Sequence, residues 1–372
     1  MNLFNSKFIL SNKRHGWIDY DRGISIILVT YRHCFESMEK AGLDLKSHPW
    51  LEYINVFFFG FRMPLFFIAS GMFFSGSIRN KGWNGYTKNR IQSILYPMLL
   101  WGILQISLQI IFSGYTNSKG DVNLNSYLNL IINPRATGQF WYLNALFFVG
   151  IIYATLSIFL KISSYHQLII GLLLYAFCGY MHANEVQSGF LDDICKYYLF
   201  FSIGDNISKF MLSDKANQIF TSSKVILPLL IAFVTIQYFF TKTNMKEQDN
   251  YYIENHQPIF FLIVALVGCA LSIAVSFSLK KSEKLSFLRI VGYNSVHIYC
   301  MQIIVMAVAR IAYMKYLHLS NPSLMAIMIL TTGLIVPIFF YNICLRLNAW
   351  WFFTLKKPKE EINFIKESSI KA

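Results

Sequence analysis

Long runs of hydrophobic residues, separated by short polar segments, recur along the whole chain. An apolar helix needs about 20 residues to cross the hydrocarbon layer of a bilayer, and these runs are near that length. Helices close their own backbone hydrogen bonds, so they suit this environment. The pattern predicts an all-α, polytopic membrane protein with about ten transmembrane helices, at residues 22–39, 54–75, 91–113, 140–160, 165–182, 196–211, 225–241, 258–279, 289–310 and 324–345.

Composition supports this class. Of the 372 residues, 55% are hydrophobic and 14% are charged, whereas soluble domains average about 25% charged residues. The net charge of +14 does not require a nucleic-acid partner, because cytoplasmic loops of membrane proteins collect Lys and Arg. Most of the Lys and Arg residues fall in segments that are cytoplasmic if both termini are inside. Residues 1–355 are expected to form the transmembrane domain, and 356–372 a charged cytoplasmic tail.

The first predicted helix carries charged residues, which are costly inside a bilayer and often functional. Arg22 and His33 are 11 residues apart, so they share one helix face about 16 Å apart along the axis. Asp19 and Glu36 extend the same polar stripe at spacings of three residues. A histidine is suited to act as a base near neutral pH, with Glu36 orienting its ring. Alternatively, Asp19 pairs with Arg22, and Glu36 with Arg32, only to make the helix tolerable.

Other polar residues interrupt the apolar runs. In the second predicted helix, which Pro64 should kink, Arg62 either contacts an anionic substrate or Glu36, or it reaches water at the outer end. Lys88 and Arg90 lie where a phosphate-bearing cofactor would arrive, although their position alone is better explained by the enrichment of cytoplasmic loops in basic residues.

The later helices add fewer candidates. Trp141 and Tyr142 fit an aromatic belt at the outer surface. Asn294, Ser295 and His297 form a polar stretch in the ninth predicted helix, where a lone histidine is more often an interior residue than a catalyst. The six Cys residues are scattered without a CxxC pair, and no metal-ligand spacing is present. Polar outer loops at 113–138 and 241–257 either line a vestibule for a carbohydrate-like partner or are ordinary solvated loops.

Five segments resemble, in order, the sequence blocks of the acyltransferase-3 family of integral membrane O-acyltransferases. They are "DYDRGISIILVTYRH", "MPLFFIASGMFF", "RIQSILYPMLLW", "FWYLNALF" and "GYNSVHIYCMQ". The matching positions include Asp19, Arg22, Gly23, His33, Pro64, Ser70, Gly71, Arg90, Pro97, Trp101, Trp141, Leu143, Gly292, Asn294, Ser295 and Tyr299. Three departures from the family pattern occur: Ser93 replaces a second arginine, Gln139 and Phe140 stand where a histidine is common, and Gln302 replaces another histidine.

The resemblance implies a ten-helix fold, cytoplasmic acetyl-CoA as the acyl donor, and transfer to a hydroxyl of a cell-surface polysaccharide or lipid-linked glycan. No metal is expected, and the setting is a bacterial-type inner membrane. The expected partners are the lipid bilayer, acetyl-CoA and the glycan acceptor, with no nucleic acid. The candidate residues are catalytic His33 and Glu36; cofactor-binding Arg22, Lys88 and Arg90; and substrate-binding Asp19, Arg62, Ser70, Trp141, Asn294 and Ser295.

Two other functions fit parts of the pattern. A proton-coupled transporter or flippase of a glycan precursor would use the polar stripe of the first helix as a proton relay. A non-catalytic scaffold for glycan synthesis would use the same residues only for assembly. Acetyl label appearing on glycan separates the enzyme from both.

Overall fold

The structure, a computed structural model, describes residues 4–11, 16–113, 122–186 and 188–370, and these residues contain no β-strand. They form eighteen α-helices: α1 Ser6–Ser11, α2 Gly16–Lys40, α3 Pro49–Phe57, α4 Phe59–Met72, α5 Phe74–Arg90, α6 Tyr96–Ile111, α7 Ser126–Ile132, α8 Trp141–Ile158, α9 Ser164–Ala183, α10 Phe190–Met211, α11 Asp214–Phe220, α12 Ser223–Lys246, α13 Tyr252–His256, α14 Pro258–Ser282, α15 Phe287–Tyr293, α16 Ser295–Tyr316, α17 Pro322–Arg346 and α18 Lys359–Ile370. The prediction of an all-helical protein is confirmed.

Eight helical segments in the described residues are long and apolar enough to span a membrane: Pro49–Met72, Phe74–Ile111, Trp141–Ile158, Ser164–Ala183, Ser223–Lys246, Pro258–Ser282, Ser295–Tyr316 and Pro322–Arg346. The chain is therefore a multi-pass membrane protein. Two further helices, α2 with 25 residues and α10 with 22, are long enough to cross but carry several charged side chains. A total of ten spans, with both termini inside, stays a prediction.

The segment between the second and third predicted spans is helical, whereas a loop was expected there. Helix α5 continues through a π-turn at Ile91–Leu95 into α6, with one break at Gly82, whose φ of 63° is a left-handed value that suits glycine. The π-turn precedes Pro97, which has no N–H to offer to a regular helical ladder.

The prediction of one helix over 289–310 is wrong in its first part. Helix α15 ends at Tyr293, and α16 begins at Ser295. Asn294 has φ −90° and ψ 11°. Its ψ departs from the helical value near −42°, so the helix is interrupted at this residue.

The helices form two compact units, the first made of residues 1–55, 92–128 and 284–372. Its central helix is α2. The hydroxyl of Thr30 donates to Gln302 Oε1 at 2.7 Å, and the Arg310 guanidinium donates to the Ser37 carbonyl at 2.8 Å. These pairs have nearly the same sequence offset, so α2 and α16 run parallel. Next to them, Cys34, Phe35, Met306, Met325 and Ile329 form a buried apolar cluster.

The C-terminal helix α18 packs onto the same unit. Its Glu361 accepts hydrogen bonds from the hydroxyls of Tyr293, at 2.5 Å, and Tyr341, at 3.0 Å. Ile362 is buried, and Phe364 packs on Phe8 of α1. Within the segment 356–372, predicted as a charged tail, residues 359–370 are therefore helical, and the first turns of that helix pack on the first unit.

The second unit comprises residues 56–91 and 129–283. Its helices α4 and α10 run parallel, because Phe67 stacks on Tyr197 at 4.5 Å and Gly71 lies against the Phe201 carbonyl, both at an offset of 130 residues. A Cβ on Gly71 would collide with the Phe201 carbonyl, and one on Gly204 with the Ile68 carbonyl. The two glycines therefore permit backbone-to-backbone packing of a kind common between membrane helices.

Candidate functional site

The polar stripe of α2 exists as the spacing predicts. Residues 16–40 form one uninterrupted helix, so Asp19, Arg22, His33 and Glu36 lie on one face. Burial changes along the stripe: Asp19 is only 1% exposed, whereas the side chains of His33 and Glu36 are 15% and 29% exposed. The His33 end of the stripe is therefore more exposed than the Asp19 end.

Helix α15 fixes the buried end of this stripe. A Cβ on Gly292 would collide with the Asp19 carbonyl, and one on Gly23 with the Leu288 carbonyl. The Tyr20 hydroxyl donates to the Lys284 carbonyl at 2.8 Å. Only glycine permits so close a crossing, which explains why the first and last sequence blocks carry Gly23 and Gly292.

Glu36 contacts two partners at once. One carboxylate oxygen lies 2.5 Å from Arg32 Nη2, and the other lies 3.1 Å from His33 Nδ1. Glu36 thus pairs with Arg32, as one interpretation of the sequence proposed, and also contacts the imidazole, as the other proposed. Because Glu36 engages Nδ1, Nε2 is the ring nitrogen that this contact leaves available.

Asn294 and Ser295 lie at the break between α15 and α16, in the same unit as α2. Both are buried, and the Asn294 amide donates to the Ile290 carbonyl at 2.8 Å. His297, one turn later, stacks on Tyr341 with the ring centroids 3.6 Å apart and lies 3.2 Å from Asn294 Oδ1. These contacts agree with the interpretation of His297 as an interior histidine.

In the second unit, Arg90 is buried although it was expected on a loop. Its Nε donates to the Tyr86 hydroxyl at 2.9 Å, and its Nη1 to the Ser70 hydroxyl at 3.4 Å. The guanidinium lies over the Phe201 ring. Two predicted site residues, Arg90 and Ser70, are thus brought together, whereas Lys88 is exposed on the same helix.

Arg62 and Trp141 also belong to the second unit. Arg62 is 2% exposed and lies over the Phe59 ring at 4.9 Å, so the alternative that it reaches water is wrong. Trp141 packs beside Tyr197, and the Arg135 guanidinium lies 4.3 Å above its ring. The side chain of Arg135 therefore covers the face of the Trp141 ring.

Sequence reasoning missed two ion pairs of the second unit. Arg135 makes a bidentate contact with Asp193, with its shortest distance 2.6 Å, and Lys196 contacts Glu254 at 2.8 Å. Burial alone would raise the pKa of Glu254, but the neighbouring Lys196 and Arg135 charges outweigh it and lower that pKa below its ordinary value. Each pair joins residues 58 positions apart, so local spacing carries no signal for it.

A third polar group is centred on Asp205, inside α10. Its carboxylate accepts hydrogen bonds from Ser75 at 2.5 Å and from Tyr153 at 2.8 Å. The available signal was an aspartate within the apolar segment "YYLFFSIGDN".

Within the described residues, no group of three or more His, Cys, Asp or Glu side chains is arranged to hold a metal ion. The features that stand out are the histidine held by a carboxylate on α2 and the buried arginine of α5. Together with the helices, they describe a multi-pass membrane protein with acid–base chemistry available at one helix.

Comparison with known proteins identifies the family. The acyltransferase-3 family model, described as an acyltransferase domain, matches residues 15–342. The chain therefore belongs to this acyltransferase family. A nodulation protein, NolL, from Mesorhizobium japonicum is 28% identical over 153 residues, which cover 41% of this chain and 39% of that protein. No solved structure gives a significant match.

Proposed function

We propose that this protein transfers an acetyl group from acetyl-CoA to a hydroxyl of a cell-surface polysaccharide or a lipid-linked glycan, in the inner membrane of a bacterium. The observation that carries the proposal is the contact between His33 and Glu36 on a partly exposed helix face. Membership of the acyltransferase-3 family supports the reaction class. In this proposal both termini are cytoplasmic, and the donor arrives from the cytoplasm.

His33 acts as the general base. Its Nε2 accepts the proton of the acceptor hydroxyl as that oxygen attacks the thioester carbonyl. Collapse of the tetrahedral intermediate breaks the carbon–sulfur bond, and the departing CoA thiolate takes a proton from the imidazolium. Glu36 stabilises the imidazolium through Nδ1, as a carboxylate beside a catalytic histidine does.

The basic residues have a separate role. Arg22 positions the donor or offsets the negative charge that develops on the thioester oxygen. Arg90 and Lys88 are the proposed contacts for donor phosphates, for which arginine is well suited. Asp19, Arg62, Ser70, Trp141, Asn294 and Ser295 are the proposed substrate-binding residues.

The test is acetyl transfer in isolated membranes. Membranes that contain the wild-type protein receive acetyl-CoA labelled in the acetyl group, and the glycan fraction is analysed by mass spectrometry. We expect an acetyl mass increment on the glycan that is lost in the His33→Ala variant. Unlabelled glycan in the wild-type sample would contradict the acetyl-transfer proposal, and full transfer by His33→Ala would contradict the role of His33.

A further inference from the structure

Arg310, on α16 of the first unit, is a buried cation that forms no ion pair with any residue that the structure describes. It is 4% exposed, and its Nη1 donates to the Ser37 carbonyl at 2.8 Å. A buried charge is normally compensated by an opposite charge, as Glu254 does for Lys196. The charge of Arg310 therefore requires an explanation.

One edge of the guanidinium has a structural role. Ser37 lies in the last turn of α2, where carbonyls lack helical N–H partners and a nearby cation is favourable. This contact uses Nη1, whereas Nε is buried and has no partner within the described residues. Nη2 has no such partner either, yet it is not among the buried unpartnered atoms, so it remains accessible.

The guanidinium lies close to the proposed base. Ser37 follows His33 by four residues, so its backbone lies about 6 Å further along α2 and about 40° around the helix. Ser37 is half-buried, and the side chains of His33 and Glu36 are partly exposed. Arg310 is thus about one helical turn from His33, beside a stretch of α2 that is open on one side.

Arg310 and Arg22 lie at opposite ends of α2. Fifteen residues separate Arg22 from Ser37, which is about 22 Å along the helix axis. Helices α2 and α16 run parallel, so Arg310 lies towards the C-terminal ends of both. In the proposed topology these ends are at the outer side, where the glycan arrives, whereas acetyl-CoA arrives from the cytoplasm. A ligand of Arg310 therefore belongs to the acceptor rather than to the donor.

The chemistry of arginine selects the class of ligand. A guanidinium carries five N–H donors, no acceptor and a permanent positive charge. A neutral sugar hydroxyl could accept a hydrogen bond from it but would leave the buried charge uncompensated. A carboxylate or a phosphate supplies both the acceptors and the opposite charge, and matches the planar fork of donors.

We infer that Arg310 binds an anionic group of the acceptor, a carboxylate or a phosphate, and so holds the acceptor beside His33. The inference rests on the proposed function, because it names the class of acceptor for that reaction: an acidic glycan or a phosphate-bearing lipid-linked glycan. No proton transfer or covalent step takes place at Arg310.

The test is the acceptor KM of acetyl transfer. The acceptor is total envelope glycan from a strain that lacks the gene, de-O-acetylated with mild alkali. Arg310→Gln removes the charge but keeps a donor for the Ser37 carbonyl, and it should raise the KM for this glycan about 10- to 100-fold. A hydrogen bond to a charged group changes affinity by factors of this size. The KM for acetyl-CoA should stay at the wild-type value.

Chemical removal of the anions identifies which one is recognised. One portion of the glycan has its carboxyl groups reduced with carbodiimide and borohydride, and another is dephosphorylated with hydrofluoric acid. For the wild-type protein, the portion that lacks the recognised anion should show the raised KM. For Arg310→Gln, the same portion should show the same KM as intact glycan, because the charge that would sense the anion is gone.

Two further variants control the test. Lys315→Gln removes a positive charge from an exposed residue of the last turn of α16, and it should leave the acceptor KM unchanged. Arg310→Lys keeps the charge but loses the fork of donors, so its KM should fall between those of the wild type and Arg310→Gln. This partial rescue separates recognition of an anion from misfolding.

The alternative is an arginine that only caps the end of α2. In that case Arg310→Gln lowers the thermal midpoint but leaves the acceptor KM at its wild-type value, and neither treatment of the glycan changes the KM of the wild-type protein. That result would overturn the inference while the wild-type protein still transfers acetyl groups. Absence of transfer by the wild-type protein would instead contradict the proposed function, and the inference with it.

Discussion

The two units of this protein use charged side chains in different ways. In the first unit, Arg32, His33 and Glu36 meet on α2 with side chains that are 13%, 15% and 29% exposed. In the second unit, Lys196 and Glu254 pair while almost fully buried. A buried pair is costly to break but chemically inaccessible, whereas a partly exposed histidine–carboxylate contact can take part in a reaction. The comparison separates a charged group proposed for catalysis from one expected to act in stability.

The largest expected effect belongs to His33. His33→Gln should lower the rate of acetyl transfer about 1000-fold, within the range of general-base catalysis, without changing the thermal midpoint. Labelled acetyl incorporation at saturating acetyl-CoA measures this rate. His48→Gln, which alters a half-buried histidine of the same unit, is the matched control. If the His33→Gln protein lost stability as well as activity, the contrast between a catalytic group in the first unit and a stabilising ion pair in the second would not hold.

The second prediction addresses the buried pair. Glu254→Gln should reduce the free energy of unfolding by about 3 kcal/mol, because it leaves the Lys196 charge without its carboxylate. Thermal unfolding in detergent measures the change, and activity per folded molecule should be retained. The control is Glu247→Gln, since Glu247 contacts Lys246 at 3.6 Å on the surface, where ion pairs contribute little. Equal effects of the two variants would show that burial does not determine how much these ion pairs contribute to the free energy of unfolding.

The pH dependence of unfolding is a second test of whether the buried Lys196–Glu254 pair stabilises the fold. The pKa of Glu254 is lowered in the folded protein. The stabilisation from its ionised form is therefore fully present above the unfolded-state pKa, and it is lost as the pH falls through the lower folded-state value. We expect the wild-type protein to lose stability in acid over that window, and Glu254→Gln to lose less. Parallel acid-unfolding curves for the two proteins would disprove this account.

A smaller effect is expected at Glu36. Glu36→Gln keeps a side chain of the same size but removes the negative charge that faces His33. The transfer rate should fall about 10- to 100-fold, the factor that one charge-assisted hydrogen bond supplies. The KM for acetyl-CoA should change little, and labelled acetyl incorporation measures the rate. An unchanged rate would assign Glu36 to its contact with Arg32 alone.

The smallest expected effect concerns helix packing. Gly292→Ala places a methyl group against the Asp19 carbonyl and should destabilise the protein by about 2 kcal/mol, which is typical of overpacking. Gly76→Ala, where a Cβ meets open space, should be neutral or slightly stabilising. Thermal unfolding compares the two variants. A neutral Gly292→Ala would mean that the crossing can open without cost.

Sequence reasoning succeeded where the signal was local. The 11-residue step from Arg22 to His33 and the three-residue step to Glu36 define one face only if the segment is helical, and α2 is helical throughout. The same reasoning missed the break at Asn294 and the docking of α18, because both depend on packing rather than on the apolar pattern. Hydrophobicity could not reveal the Arg135–Asp193 contact, since nothing in the sequence links positions so far apart.

The parallel pairing of α2 with α16 has a consequence for biogenesis. Their contacting residues, Thr30 and Gln302, are 272 positions apart. At a synthesis rate of about 5–20 residues per second, α16 emerges on the order of 15 to 50 seconds after α2. The second unit needs no residue beyond 283, so all of its chain has been made before α16 appears. During this interval the charged face of α2 lacks its final neighbours. We expect a chaperone or the insertion machinery to shield this face until α16 has been made.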